Sequence, residues 1–294
     1  MAGIARRVAV VDDAIEPYAA SLPDPPRAYL EVEHRLGAAD RETRTAFVIC
    51  LDAINFGSGW WPTIRKRDGH SGYSTIESAL AERFRDAGHW PVEQLREVGP
   101  AEIAAALGQD AGHPLMASYA EALRDVGDRV AAEHSGSFTA LVGAARGSAV
   151  ELAGILAGWR SFADVSLYEG EQVPFYKRAQ IAAADLNRAG VASLAGEERL
   201  TAFADNLVPH VLRLDGVLHL DPPLAAAIDA GELLIHGSPE EVELRACAVH
   251  AVERISAADA GRLAPASIDA ILWSRGGGAR YKAVPRPRSR NTAY

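Results

Sequence analysis

The sequence predicts a mainly α-helical fold, on three observations. Residues 63–135 are rich in alanine and broken at regular intervals, at 68–72, 88–91, 99–100 and 112–114, as successive amphipathic helices would be. Leu200, Phe203, Leu207 and Val211 recur three and four residues apart, which sets one apolar stripe along a helix. Ser238 and Glu241 form a Ser-x-x-Glu capping box with Pro239 at the first helical position, a clear helix start.

Composition bounds the rest. A chain of 294 residues with 48% hydrophobic content can bury a substantial core, as one domain over 1–294 or as two helical lobes with a ligand cleft between them. Charged residues make up 23% and the net charge is −9, which argues against a broad basic surface along a nucleic-acid duplex. A small phosphorylated ligand needs only a few local cations. Cys50 and Cys247 sit in apolar surroundings without CxxC or metal-site spacing, and read as buried free thiols in a reducing cytoplasm. The nine histidines form no HExxH or Cys/His cluster, so no metal and no cofactor is expected. The opening MAGIARRVAVVDDAIEP meets acidic residues before a long apolar run develops, so neither a signal peptide nor a membrane span is expected.

Taken in order, a first helix is followed by SLPDPPRAY, a proline-rich turn or extended link. The run from Phe47 to Phe56 is apolar and short enough to be helix or strand; its helical neighbours favour helix. Asp52 and Asn55 interrupt it, and a buried carboxylate costs several kcal/mol unless paired or hydrogen-bonded. An internal cap or ion pair would satisfy Asp52, and so would the N–H donors of a ligand. Phe56, Trp60 and Trp61 surround a GSG turn, as core or as a platform for a planar base, where stacking contributes roughly 1–3 kcal/mol. Residues 136–159 read as one buried helix and 161–174 as a polar connection.

The stretch 175–213 reads as two helices around a loop. Lys177 and Arg178 open the first, as a solvated pair or as donors to an anion at the helix start, with Lys177, Ile181 and Asp185 on one face. Asp205 falls within the second, off the apolar stripe. Pro209 cannot donate to the Asp205 carbonyl, so either the helix bends there and aims the carboxylate into a cleft, or Pro209 marks a helix boundary that Asp205 caps. The helix after Ser238 carries a core stripe of Val242, Ala246, Val249 and Val252 and reads as structural. The basic close, SRGGGARYKAVPRPRSRNTAY, is either a flexible tail or a segment folded back to put Arg288 and Arg290 beside an anionic site.

Several blocks together resemble the queuosine salvage family: LDAINF at 51–56, SGY at 71–73, FYKRAQI at 175–181 with ADL at 184–186, FADNLVP at 203–209, EVELRA at 241–246 and YKAVPRPRSRNTAY at 281–294. Each block is weak alone; their order over nearly the whole chain is specific. The resemblance implies a compact helical fold similar to DNA glycosylases, and hydrolysis of the N-glycosidic bond of queuosine 5′-phosphate to release queuine for tRNA modification. It carries Asp205 over as the catalytic carboxylate and Lys177 as a site residue, and brings Tyr73 in with the SGY block. The chain departs from the family pattern at FADNLVPH, where FADYRVPQ is more usual, and in the loop 187–198, which lacks the usual aromatic and glycine-rich content.

Breaking a ribosyl N–C bond builds positive charge on the sugar, which a carboxylate such as Asp205 stabilises or captures. The pyrimidine edge of a 7-deazaguanine offers N–H donors to Asp52 and polar contact to Asn55, while Phe56, Trp60 or Trp61 stacks on the ring. Lys177, Arg178, Arg288 and Arg290 are the candidates for the 5′-phosphate. The expected partners are therefore a small-molecule substrate and its base, with no direct nucleic acid and no membrane. Rival readings are a glycosylase acting on nucleic-acid bases, a non-catalytic carrier of queuine or its nucleotide, and a helical interaction protein.

Overall fold

The structure, a computed structural model, describes residues 2–25 and 32–294. After strand β1 (Val8–Val10) comes helix α1 (Asp12–Ser21); the proline-rich link begins at its end, and its residues 26–29 lie outside the described residues. Helices α2 (Val32–Leu36), α3 (Arg41–Ala53), α4 (Gly72–Ala87), α5 (Val92–Leu95), α6 (Pro100–Leu107) and α7 (Pro114–His134) then follow with breaks at the predicted turns. Local chemistry sets these boundaries. The Asp40 carboxylate accepts the Thr43 N–H at 2.8 Å to start α3, Ser71 and Ser74 make a reciprocal capping box on α4, and Gly108 closes α6 in the left-handed region at φ 64°.

Two expectations need correction here. Residues 136–159 are two helices, α8 (Phe138–Ala144) and α9 (Ala149–Ala157), because Arg146 and Gly147 both take positive φ and reverse the chain. The polar connection holds a hairpin, β2 (Val165–Tyr168) against β3 (Glu171–Pro174), turned by Glu169 and Gly170, again both at positive φ. Helix α10 (Lys177–Arg188) packs on α3 and α9. The core of this half is built on α3, whose Phe47, Val48, Ile49 and Leu51 are all buried; each such side chain contributes about 1.5–3 kcal/mol.

A second core gathers α1 with α11 (Leu207–Leu214), β4 (Leu218–Leu220), α12 (Pro222–Asp229), β5 (Leu233–Leu234), α13 (Pro239–Ala258), α14 (Pro265–Gly276) and α15 (Ala279–Lys282). β4 pairs antiparallel with β1, and β5 pairs parallel with β6 (Arg288–Ser289). Helix α13 begins at Ser238 as predicted, but its burial wraps beyond one stripe: Leu244, Cys247, Ala248 and Ala251 join the main core, while Val242 and Ala246 pack with Tyr168 and Phe175. Both cysteines are buried and free. Among the described residues, no helix is long and apolar enough to cross a membrane.

The basic close is folded back. Beyond β6, Asn291, Ala293 and Tyr294 are buried, and Gly59 of the GSG turn leaves room for the Ser289 backbone, where a Cβ would meet its carbonyl oxygen at 2.6 Å. Arg178 anchors this tail. Its buried guanidinium donates to the carbonyls of Ala53, Ser161, Thr292 and Ala293, and burial pushes its pKa down to about 10. Arg178→Met strands these acceptors, so unfolding in urea should show a loss of about 3 kcal/mol or more; an unchanged midpoint would mean that the tail is held by other contacts.

Candidate active site

A cavity of about 610 Å³ lies where the two cores meet. One wall comes from Asn55, Ser58 and Trp61 after α3 and from Tyr73 and Glu77 on α4; the opposite wall comes from Asp269 and Trp273 on α14. Lys177 and Ile181 of α10, the segment Phe203, Asp205, Asn206 and Leu207, and the tail residues Lys282, Arg286, Arg288 and Tyr294 complete it.

Asp205 precedes α11 instead of lying within a helix. Its Oδ1 accepts the N–H groups of Leu207 at 2.7 Å and Val208 at 3.0 Å, so it caps the helix. Pro209 stands in the first turn, where its missing N–H has no intrahelical partner to lose, and no bend forms at Asp205. The boundary alternative is the one observed. The segment around Asp205 is pinned nearly residue by residue: Thr201 N–H to Gln180 at 2.9 Å, Phe203 N–H to Asp269 at 2.9 Å, and the Ala204 carbonyl to Arg245 Nε at 2.9 Å. Asn206 donates from its side chain to the Pro287 carbonyl at 2.8 Å.

Arg245 extends this hold. It pairs with Asp164 at 2.6 Å, both side chains 1% exposed, and lies over the rings of Phe175 and Tyr294. The same Asp164 oxygen accepts the Lys177 N–H at 3.1 Å, and the Asp164 carbonyl accepts the N–H groups of Phe175 and Tyr176. The EVELRA block therefore does more than fill a core, because it fixes the start of α10 and the Asp205 segment together.

Lys177 is buried, and its Nζ donates to the Asn55 carbonyl at 3.1 Å. Burial lowers its pKa, opposed by the charges of Asp205, Asp52 and Asp269. Asp52 lies one layer behind the wall, fully buried, and receives the Asn55 amide at 3.3 Å. Burial and the neighbouring Asp185 push the Asp52 carboxyl well up, with Lys177 opposing. Asn55, which donates to Asp52, lines the cavity, and Asp52 does not.

Other predicted residues divide the same way. Trp61 and Tyr73 line the cavity with ring centroids 6.5 Å apart, and Trp273 packs edge-on to Tyr73 at 5.9 Å. Gly72 of the SGY block permits this, since a Cβ there would strike Trp61 at 2.4 Å. Phe56 is buried against Tyr119 and Arg178 and offers no face to a ligand, and Trp60 packs on the first core outside the cavity wall. Arg178 is spent on backbone carbonyls, and Arg290 is exposed outside the cavity; of the four cations proposed for a phosphate, only Lys177 and Arg288 line it.

Residues missed in the sequence reading are Asp269, Lys282, Arg286 and Glu77. Asp269 interrupts the apolar run SIDAILW as Asp52 interrupts its own run, the signal that could have found it. It is buried beside Asp205, and its pKa is raised to about 8, by burial first and then by the Asp205 charge. Burial and the adjacent Arg288 lower the Arg286 pKa, while Asp205 opposes them. No group of three or more His, Cys, Asp or Glu residues arranged to hold a metal occurs among the described residues.

The family model described as queuosine salvage protein matches residues 35–294. The queuosine 5′-phosphate N-glycosylase/hydrolase of Sphaerobacter thermophilus is 34% identical over 271 residues, covering 86% of this chain and 82% of that protein. Proteins of the same name from Dictyostelium discoideum and Mus musculus are each 29% identical, over 262 and 220 residues, covering 86% and 69% of this chain and 79% and 63% of their own lengths. With the matched region taking in Asn55, Lys177, Asp205, Asp269 and the folded tail, the chain belongs to the queuosine salvage protein family.

Proposed function

We propose that this chain hydrolyses the N-glycosidic bond of queuosine 5′-phosphate, releasing queuine and ribose 5-phosphate, with one domain whose two cores close on the substrate. The observation that carries the reading is Asp205, held rigidly at the wall of the cavity between the cores, with Lys177 and Asp269 beside it. Its Oδ1 is committed to the start of α11, and Oδ2 makes no hydrogen bond among the described residues. A carboxylate fixed in this way needs no reorganisation as C1′ of the ribose becomes electron-poor.

The base lies along Trp61 and Tyr73, and its pyrimidine N–H groups reach the Asn55 amide oxygen, which Asp52 leaves free by holding the Asn55 Nδ2. Asp52 acts through Asn55 and Lys177 without touching the ligand. Arg286 and Arg288 are two like charges crowded beside the cavity with no ion pair among the described residues, and Lys282 joins them at the wall. An anion relieves that repulsion, and the 5′-phosphate of the substrate supplies one. Charge of this kind selects a nucleotide over its nucleoside.

Two outcomes follow. Asp205→Asn should lower kcat with queuosine 5′-phosphate by about 10³-fold while leaving substrate binding nearly intact, measured by mass detection of free queuine and by calorimetric titration; near-normal turnover would remove the carboxylate from the chemistry. Arg286→Met should raise KM for queuosine 5′-phosphate about 10- to 100-fold and leave the constants for unphosphorylated queuosine unchanged. Equal effects on both substrates would move the phosphate elsewhere.

A further inference from the structure

A departing 7-deazaguanine is a reluctant leaving group. It has carbon where a purine carries the ring nitrogen N7, so the proton that eases departure of an ordinary purine has nowhere to land on that ring. Protonation must come on the pyrimidine side, and N3 is the nitrogen there that faces the sugar. A donor beside the anomeric carbon can reach it.

Resting on the reading of this cavity as a nucleotide hydrolase site, we propose that Asp269 is the general acid of the reaction, giving its proton to N3 of the base as the C1′–N9 bond breaks. Asp269 shares the cavity wall with Asp205 and Lys177. Its Oδ1 is engaged by the Phe203 N–H, within the segment that carries Asp205, so the two carboxyl groups keep a fixed relation. Its Oδ2 makes no hydrogen bond among the described residues and is available to carry and donate the proton.

The charged groups facing Asp269 explain why that proton is held. Asp205 lies in the adjoining segment and disfavours a second negative charge, while Lys177 and Arg188 of α10 favour one. Arg188 is drawn off by Asp185 and by Glu197 of the 3-10 turn Glu197–Arg199, and it donates to the Ala266 carbonyl on α14. Burial outweighs the two cations, and the carboxyl titrates near 8. Below that pH the acid is present; as pH rises through it, the proton is lost and acid catalysis with it.

The step balances. The bonding pair of C1′–N9 goes to the base, which leaves neutral with the Asp269 proton on N3 and tautomerises in water. One water then supplies hydroxide to C1′ and the proton that restores Asp269, with Asp205 stabilising the sugar cation between.

The test compares queuosine 5′-phosphate with p-nitrophenyl β-D-ribofuranoside 5-phosphate, whose phenolate departs without a proton. For Asp269→Asn we expect kcat/KM with queuosine 5′-phosphate to fall about 10²- to 10⁴-fold and the aryl riboside to be cleaved within a few-fold of the wild-type rate. Retained aryl cleavage also shows that the variant folds. The wild type should lose activity on queuosine 5′-phosphate above pH 8, and the residual rate of Asp269→Asn should lack that limb. Equal loss on both substrates, an undiminished rate on queuosine 5′-phosphate, or a limb that persists in the variant overturns the role of Asp269 while leaving the hydrolase reading in place. A wild-type protein that cleaves the aryl riboside and releases no queuine overturns the substrate reading, and this inference with it.

Discussion

A guanidinium buried among protein atoms must find an acceptor for each of its donors, and at Arg245 that requirement fixes the site. Its donors reach Asp164, Glu241 and the Ala204 carbonyl, while its flat faces meet Phe175 and Tyr294. These partners come from the hairpin connection, the same helix, the Asp205 segment, the approach to α10 and the tail. None of these elements can shift without stranding a buried charge, and an uncompensated one costs several kcal/mol. Arg178 repeats the arrangement one layer away, with neutral carbonyls in place of carboxylates. The fixed position of the Asp205 segment is in this sense a by-product of burying Arg245.

Around Lys177 the arithmetic of charge is unbalanced. Asp52, Asp205 and Asp269 all act on it and Asp185 acts on Asp52, while Arg178 is committed to backbone carbonyls and Arg188 is shared between Asp185 and Glu197. Asp269 titrates near 8 and Asp52 is driven well up, so protonation is shared out by burial and by neighbours, not by residue type. Arg286 and Arg288 create the converse shortage, two cations crowded together with Asp205 as the nearest counter-charge. A net charge of −9 over the whole chain hides both local excesses.

Much of the fold was legible because its causes are local. Alanine-rich stretches broken by Gly and Pro became α4 to α7, and Ser238 with Pro239 started α13 where expected. Causes that act at a distance were not legible. A Lys-Arg pair at a helix start is usually solvated, and only the approach of Ala53, Ser161, Thr292 and Ala293 makes Arg178 a buried anchor. The hairpin over 165–174 inverts the usual alternation, since Val165 and Leu167 are exposed while Ser166 and Tyr168 are buried, and its pairing is set by the Glu169–Gly170 turn. Asp269 was legible in principle: an acid inside SIDAILW is the same anomaly as one inside FVICLDAINF. Lys282 and Arg286 carry no local signal that separates them from a solvated basic tail.

Asp205 and Pro209 show how one pattern admits two structures with opposite consequences. Had the helix begun at Leu200, the proline would have broken it and left Asp205 on a bent, mobile turn. Beginning at Leu207, the helix loses nothing to the proline, and its free N–H groups take one carboxylate oxygen of Asp205. That oxygen fixes the orientation of the group, the positive end of the helix dipole faces it, and the other oxygen is left toward the cavity. Asp269 has different surroundings, buried in the middle of α14 with the Phe203 N–H on one oxygen and Asp205, Lys177 and Arg188 as its charged neighbours. Two aspartates of one cavity wall are thereby given different surroundings, Asp205 with one oxygen held by a helix start and Asp269 buried with its carboxyl pushed up, by where each stands relative to a helix end.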